Sequence, residues 1–305
     1  PRLVAALAGD GVDDAGYARV GGVSVTSDPA AVDTMVDGIG HMKAAGLDLG
    51  EVRPLAPGEP RELFGVLDAG LAGAFVSGIG RVDGRTLRDA LLAGAEAHGT
   101  RRRSGAASLA TTGGRVVGVD VDGERLNADA VVAAAGAWTG ELLEPLGIEL
   151  PLYPLRGQLL HLDLPTAGID SAAWPIVQTA SGHYLLGFPG GRVVVGSTRE
   201  EVGFDFGSTA GAVHGILTAV FEYAPDLAEA TLAEVRVGFR PASRDTLPLL
   251  GPVDGRAGLV VATGLGANGL TLGPVTGAIA ADVALGRGTS IDLAPYRPDR
   301  PAPSG

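Results

Sequence analysis

A glycine-rich segment near the carboxyl end of the chain has the order of a strand, a loop and a helix. The apolar run 258–263 precedes it, and a helical pattern of small residues, 271–285, follows it. Such a loop lets a flat or anionic ligand approach bare backbone N–H groups, with the positive end of the helix dipole behind them. The alternative is a helix entry that is rich in glycine only because it packs tightly. The candidate ligand-binding residues are Gly264, Leu265, Gly266, Ala267, Asn268, Gly269, Leu270 and Thr271.

A second candidate is Arg240, which stands at the end of an apolar, alternating strand pattern. A guanidinium buried there without an anion would be unfavourable. Arg240 therefore reaches solvent, pairs with a carboxylate of the protein, or binds an anionic substrate. A guanidinium holds a carboxylate through two parallel hydrogen bonds, which fix its orientation as well as its affinity. The pattern alone leaves all three alternatives open.

Two further segments have features of a binding site. The run 129–136 suits a buried parallel strand whose last residue, Gly136, lets a nucleotide pass over the backbone, and Trp138 follows it. Many α/β proteins end a strand in this way without binding a nucleotide. Arg156 heads another strand and is expected to be an exposed charge, while Gly157 beside it would allow a ring to approach.

Composition limits the classes of function. The chain has 305 residues, of which 46% are hydrophobic, and this is enough for two domains or one large one. Its formal charge of −12 argues against nucleic-acid binding, and we interpret the basic run 101–103 as solvated. The absence of cysteine excludes disulfides, thiolate metal sites and a flavin attached through cysteine. We predict no metal site, no membrane span and a cytoplasmic protein whose partner is a small molecule; the sequence indicates no oligomeric state.

Periodicity and turn residues predict an α/β fold with additional antiparallel strands. The segment 51–62 is rich in proline and glycine and is expected to be a loop, and the tail after Arg287 is expected to fray. Helices are predicted over 29–45, 84–98, 139–146, 208–223 and 271–285, and strands over 20–26, 71–77, 104–112, 115–121, 124–127, 129–136, 152–163, 174–179, 183–188, 192–197, 234–240 and 258–263.

Taken jointly, these segments have the order and separations of one family. From about Val20 to Leu285 the chain resembles the D-amino-acid oxidase-like (DAO) flavoproteins, and within them glycine oxidase, sarcosine oxidase and bacterial D-amino-acid dehydrogenases. The most specific matching segments are ADAVVAAAGAW, PLRGQ, GFRPASRDTLPLLG and GLVVATGLGANGLTLGP.

The resemblance implies two interleaved domains. One is an FAD-binding, Rossmann-like domain, here lacking its first βαβ unit, and the other is a substrate domain with a mixed, mostly antiparallel β-sheet. We expect the remainder of the FAD-binding domain in 1–16, 76–150 and 245–290, the substrate domain in 17–75 and 151–244, and a carboxyl-terminal tail in 291–305.

The resemblance also implies a reaction and a set of site residues. The family oxidises the C–N bond of a D-amino acid, glycine or an N-methyl amino acid by hydride transfer to FAD, here bound non-covalently, with oxygen or another electron acceptor. Arg240 matches the arginine that binds the substrate carboxylate, and Tyr184 matches a tyrosine beside the substrate. The loop 264–271 matches the segment around the flavin ring, and Gly136 and Trp138 match the strand end near the cofactor.

Three departures from the family pattern are visible. The amino-terminal GxGxxG unit is absent, so we expect a fragment that is inactive by itself; the alternative is a remnant without cofactor. Ala267 stands where glycine oxidase has a second arginine, and Arg199 replaces an apolar residue near the substrate. Both changes question glycine itself as the substrate. Arg199 either favours a longer or acidic substrate or pairs with Glu200 or Glu201, and the pairing is the expectation.

Overall fold

The computed structural model describes residues 1–165 and 169–300. Within them the strands are β1 (Tyr17–Arg19), β2 (Gly22–Thr26), β3 (Val52–Leu55), β4 (Ala72–Val76), β5 (Gly80–Val82), β6 (Ala107–Thr112), β7 (Arg115–Val121), β8 (Glu124–Asn127), β9 (Val131–Ala133), β10 (Leu152–Asp163), β11 (Ile176–Gln178), β12 (Tyr184–Phe188), β13 (Arg192–Gly196), β14 (Thr231–Ser243), β15 (Leu249–Pro252) and β16 (Leu259–Thr263). The α-helices are α1 (Arg2–Gly9), α2 (Val32–Ala44), α3 (Glu59–Leu63), α4 (Gly84–Ala97), α5 (Thr139–Leu143), α6 (Ala210–Phe221) and α7 (Gly269–Ala284).

The largest sheet has eight strands in the order β14-β10-β13-β12-β11-β2-β4-β3. Only its β11–β2 pair is parallel; the other neighbours are antiparallel. Helix α6 packs against this sheet through Ile216 and Val220, which share one buried apolar cluster with Leu160, Leu185 and Val195. In the long pairing of β10 with β14, Arg240 lies opposite Leu155, and Gly157 is therefore its diagonal neighbour on β10.

A smaller sheet, in the order β15-β16-β9, contains the parallel pair β16–β9. Alternate residues of β16 point to opposite faces. Val260 packs with Ile279 of α7, whereas Leu259 and Val261 pack in a second cluster with Val116 of β7. The strand is therefore covered on both faces, which explains its unbroken apolar run. The mixed α/β architecture confirms the predicted fold class, and the proposed domain boundaries stay a prediction.

The structure corrects two of the strand and loop predictions. Residues 51–62 are not a loop, since they contain β3 and α3. Strand β3 tolerates Pro54 because it is an edge strand that pairs only with β4, where a missing N–H does no harm. The strand predicted over 129–136 is β9, which within the described residues pairs with β16 alone, and Val132 on it is 38% exposed. It is parallel, as predicted, but only partly buried.

The described part of the tail after Arg287 is fastened rather than frayed. Arg300 donates hydrogen bonds of 2.6 and 2.7 Å to the two carboxylate oxygens of Asp245 and one of 2.9 Å to the carbonyl oxygen of Pro248. Both side chains of this ion pair are at most 15% exposed. The tail is therefore held against the turn between β14 and β15.

This ion pair predicts an acid-sensitive contribution to stability. Hydrogen bonds from Arg300 lower the pKa of Asp245 to about 2, below the value of about 3.9 in an unfolded chain. A carboxyl group with a lowered folded-state pKa stabilises the fold fully above its unfolded pKa, and the contribution is lost as the pH falls from about 4 to about 2. We expect Asp245→Asn to lower the free energy of unfolding at pH 7 by about 1–2 kcal/mol and to reduce its decline below pH 4.

Urea unfolding of both proteins at pH 7, 4 and 3 measures this effect. Asp226→Asn is the matched control, because it removes a carboxylate that pairs with Arg61 at a half-exposed position. Such a surface pair contributes little, so this variant is expected to behave like the unchanged protein. Equal losses in the two variants at pH 7 would contradict the prediction.

No helix in 1–165 or 169–300 has the length and apolar character needed to cross a membrane. In the same residues, no three His, Cys, Asp or Glu side chains are grouped so that they would hold a metal ion.

Candidate active site

A cavity of about 380 Å³ opens where β14, β12 and the glycine-rich loop meet. Arg240 of β14, Tyr184 of β12 and Ala267 of the loop all line it. Three residues predicted from separate segments of the sequence therefore converge. The remaining lining residues are Gln178, Gly182, Ser197 and Arg199.

The guanidinium of Arg240 is half-buried in the wall of this cavity. It donates one hydrogen bond of 3.0 Å to the carbonyl oxygen of Thr198 and one of 2.5 Å to Oγ of Ser197. Burial lowers the pKa of Arg240; Tyr184 opposes this shift and Arg199 adds to it. Among the described residues no carboxylate pairs with Arg240, so the alternative of an internal ion pair does not apply.

Gly157 of β10 is what allows Arg240 to lie flat against the sheet. A Cβ atom at position 157 would stand 2.6 Å from Nη2 of Arg240 and 2.7 Å from its Cζ, closer than real Cβ contacts. The expectation that a ring approaches Gly157 is therefore wrong, because the Arg240 guanidinium occupies that space.

Arg156 anchors the segment 197–209, which connects β13 to α6. Arg156 is only 3% exposed, and its guanidinium forms ion pairs of 2.5 Å with Glu200 and with Asp205. It also donates hydrogen bonds to the carbonyl oxygens of Asp205 and Gly207. The prediction that Arg156 is an exposed charge is wrong, because acidic residues later in the chain fold over it.

Gln158 continues this anchoring. Its Oε1 accepts a hydrogen bond of 2.9 Å from the backbone N–H of Thr209, and its Nε2 donates one of 2.9 Å to Glu200. Burial raises the pKa of Glu200, but hydrogen bonds from Thr198, Arg156 and Gln158 outweigh burial, and the net pKa is lowered. Glu200 is thus a fixed anion of the anchor, and the anchor presents Ser197 and Arg199 to the cavity.

Arg199 does not form the ion pair that its neighbours in sequence suggest. The carboxylate of Glu200 pairs with Arg156, and that of Glu201 accepts a hydrogen bond of 3.0 Å from Arg244. Arg199 forms no ion pair in the described part of the chain and instead lines the cavity on its exposed side. The expected pairing is therefore wrong.

The glycine-rich loop has the predicted order of strand, loop and helix. After β16 a single 3₁₀ turn spans Gly266–Asn268 and α7 begins at Gly269. An isolated antiparallel bridge joins Leu265 to Ala242 of β14, which ties the loop to the strand that carries Arg240. Leu270 and Thr271 do not face the Arg240 cavity; they line a second cavity of about 960 Å³ together with Tyr17, Arg19, Gly78, Ile79 and Gly80 among others.

Gly136 is held beside this loop by two buried threonines. Its carbonyl oxygen accepts hydrogen bonds of 2.8 Å from the Oγ1 atoms of Thr139 and Thr263. Trp138 turns away into an aromatic cluster: its ring stacks on Phe204 at 4.9 Å and meets Phe239, the neighbour of Arg240, edge-on at 5.9 Å. The end of β9 and the start of the glycine-rich loop are therefore adjacent.

The backbone at this junction fits a planar group. Gly136 and Gly266 have φ of +58° and +51°, and a Cβ at either position would meet no heavy atom within 4 Å. Both therefore present bare backbone to open space, which an isoalloxazine ring could approach. The side of the loop at Ala267 belongs to the Arg240 cavity. The cofactor-binding role of Gly136, Trp138 and 264–271 stays a prediction.

Sequence reasoning missed several residues that build the site. Ser197, with the carbonyl of Thr198, orients Arg240, and Thr139 and Thr263 hold Gly136. The sequence did contain a signal for Ser197 and Thr198, because the polar run 197–200 directly follows the apolar strand β13. A change from apolar to polar residues at that point indicates the end of a strand. Gln178 had no such signal.

The family assignment follows from a comparison with known protein families. The model of the DAO family, described as FAD dependent oxidoreductase, matches residues 1–283. This chain belongs to the DAO family. FAD is the cofactor of DAO-family enzymes, including the glycine oxidases, and the bare backbone at Gly136 and Gly266 is consistent with it.

Two bacterial oxidoreductases are similar to this chain in sequence. It is 40% identical over 298 residues to the uncharacterized oxidoreductase YurR of Bacillus subtilis. That alignment covers 97% of this chain and 80% of YurR. It is also 40% identical over 186 residues to the glycine oxidase of Pseudomonas aeruginosa. That match covers 61% of this chain and spans only half, 50%, of that relative's length.

Two solved structures superpose on this chain over nearly its whole length. The iminodiacetate oxidase of Chelativorans sp. BNC1 superposes with a TM-score of 0.92 at 39% identity, over 97% of this chain and 80% of that one. The glycine oxidase of Geobacillus kaustophilus superposes with a TM-score of 0.83 at 29% identity, over 99% of this chain and 80% of that one. These two structural matches support an oxidoreductase of the DAO family that acts on an amine C–N bond.

Proposed function

We propose that this chain forms the substrate pocket and part of the flavin site of an enzyme that oxidises the C–N bond of an amino acid or an N-substituted amino acid. The observation that carries the proposal is the half-buried guanidinium of Arg240, which faces a cavity shared with Tyr184 and with Ala267 of the glycine-rich loop. Glycine and iminodiacetate, after which two similar oxidases are named, are both amines that carry a carboxylate.

The residues around the cavity divide into those that bind the substrate and those that support the flavin. Arg240 binds the substrate carboxylate through its guanidinium and so fixes the position of the neighbouring C–N bond. Ser197 and the carbonyl of Thr198 hold that guanidinium in place. Tyr184 forms the adjacent wall. Gly136 and the loop 264–271 support the flavin, with the N-terminus of α7 favouring negative charge on it. Bound FAD supplies the hydride acceptor.

Anaerobic titration of the full-length, FAD-loaded protein tests the proposal. Glycine, sarcosine, D-alanine and iminodiacetate are added in turn, and the loss of flavin absorbance near its visible maximum is followed. We expect at least one of these carboxylated amines to bleach the flavin. Methylamine and dimethylamine, which lack the carboxylate, are the controls and are expected to leave it oxidised. Equal bleaching by the controls, or none by any carboxylated amine, would overturn the proposal.

Further features of the proposed enzyme are separate predictions. Whether oxygen or another acceptor reoxidises the flavin is decided by comparing peroxide formation with dye reduction. That the cofactor is held non-covalently and that the protein is cytoplasmic also stay predictions. Release of the flavin by acid or heat denaturation would confirm non-covalent binding, and flavin that stays with the denatured protein would contradict it.

A further inference from the structure

The cavity that contains Arg240 holds a second cation. Arg199 lines the same cavity on its exposed side, and the other lining residues carry no formal charge. Two guanidinium groups thus face one space of about 380 Å³ with no carboxylate among its lining residues. Paired cations of this kind favour a ligand with matching negative charge.

The acidic residues nearest to Arg199 in sequence are engaged elsewhere. Glu200 is bound by Arg156 and Gln158, Glu201 pairs with Arg244, and Asp205 pairs with Arg156. Arg156 and Arg244 together therefore bind the carboxylates of the segment 197–209 outside the cavity lining, and Arg199 is left as the charged residue of this segment that lines the cavity.

The two cations also influence each other. Arg199 adds to the lowering of the pKa of Arg240 that burial begins, so the charges of the two groups repel across the cavity. A ligand with one carboxylate relieves this repulsion only in part. A ligand with two carboxylates gives each guanidinium its own anion and forms two charge-assisted pairs.

We propose that the substrate carries two carboxylates, with one bound by Arg240 and the other by Arg199. The chemical class is an aminodicarboxylate, either an acidic amino acid or an amino acid with a carboxymethyl group on nitrogen. This inference rests on the proposed function, because it takes Arg240 as the site of the first carboxylate. It makes Arg199 a specificity-determining residue, since a substrate with one carboxylate does not need it.

Binding of two inert ligands to the full-length, FAD-loaded protein tests the inference by titration calorimetry. Diglycolate has two carboxylates joined through an ether oxygen, and methoxyacetate has the same ether with one carboxylate. Neither contains nitrogen, so neither can undergo oxidation at a C–N bond. We expect the unchanged protein to bind diglycolate about tenfold more tightly than methoxyacetate. Arg199→Gln is expected to weaken diglycolate binding about tenfold and to change methoxyacetate binding by less than about twofold.

Arg244→Gln is the matched control. It removes the same charge from another exposed arginine, one that pairs with Glu201 and does not line the cavity. It is expected to leave the affinity for both ligands unchanged, which separates a direct contact from long-range attraction of anions.

Three results would overturn the inference. They are an unchanged protein that does not prefer diglycolate, equal losses for both ligands in Arg199→Gln, and equal losses in the Arg199 and Arg244 variants. In each case the proposed function still stands if a monocarboxylate amino acid bleaches the flavin. The proposed function fails instead if no carboxylated amine bleaches the flavin, and its assignment of the carboxylate to Arg240 fails if Arg240→Gln leaves methoxyacetate binding unchanged.

Discussion

Replacing Arg240 by alanine is expected to raise the KM for an amino-acid substrate by roughly 30- to 700-fold, the equivalent of about 2–4 kcal/mol of binding free energy. The physical reason is the loss of a half-buried, charge-assisted pair with the substrate carboxylate. Arg240→Lys keeps the charge but not the two parallel donors, so we expect an intermediate KM. Steady-state kinetics of the FAD-loaded, full-length protein measure both variants.

Two observations separate this role from a structural one. Arg240 also holds Ser197 and Thr198 through hydrogen bonds, so the thermal midpoint of the variant must be measured beside its kinetics. Arg244→Ala removes an exposed arginine that does not line the cavity and should leave KM unchanged. An Arg240→Ala protein with an unchanged KM would rule out the carboxylate-binding assignment.

Gly157→Ala is expected to raise the same KM by roughly 10- to 100-fold with little loss of stability. The new Cβ would stand 2.6 Å from Nη2 of Arg240, and the guanidinium, as the far end of a flexible side chain, is the group that must move. The β10–β14 pairing around it can stay intact. Displacing Arg240 therefore costs substrate binding rather than folding.

The chain offers a matched control for this substitution. Gly238 lies directly opposite Gly157 in the β10–β14 ladder, and a Cβ there would meet no heavy atom within 4 Å. Gly238→Ala is expected to leave both KM and the thermal midpoint close to their original values. Similar kinetic losses in the two alanine variants, or a Gly157→Ala protein with normal KM, would contradict the proposed dependence of Arg240 on a bare backbone at 157.

The segment PLRGQ contains two residues, Arg156 and Gln158, whose contacts could not be predicted from the sequence. Its residues were identified as part of the family pattern, but their parts in the structure could not be assigned. Arg156 and Gln158 anchor the segment 197–209, whose acidic and threonine residues lie some 40 or more positions later in the chain. A local pattern cannot show which distant carboxylate will fold over an arginine. An arginine without a nearby acidic residue in sequence is normally exposed to solvent, but Arg156 is buried because Glu200 and Asp205 pair with it.

The same limit applies to Arg199. Two glutamates follow it directly, and pairing within one segment was the simplest expectation. The bridge between Arg156 and Glu200 orients that stretch so that Glu200 points to the anchor, while Arg199, its immediate neighbour, faces the cavity. Alternation along an extended backbone sends adjacent side chains to opposite sides, and the location of the anchor decides which side is which.

The sequence by itself determined the fold class and the strand–loop–helix order at 258–285, which follow from local periodicity and from the placement of glycine. The grouping of Arg240, Tyr184 and the glycine-rich loop in one site was implied by the resemblance to the DAO family and not by any local pattern. Only the tertiary structure decided that Gly157 makes room for Arg240, that Arg156 is buried, and that Arg199 joins Arg240 at one cavity. Those contacts join residues far apart in sequence, and their geometry depends on strand register and packing, which no local pattern specifies.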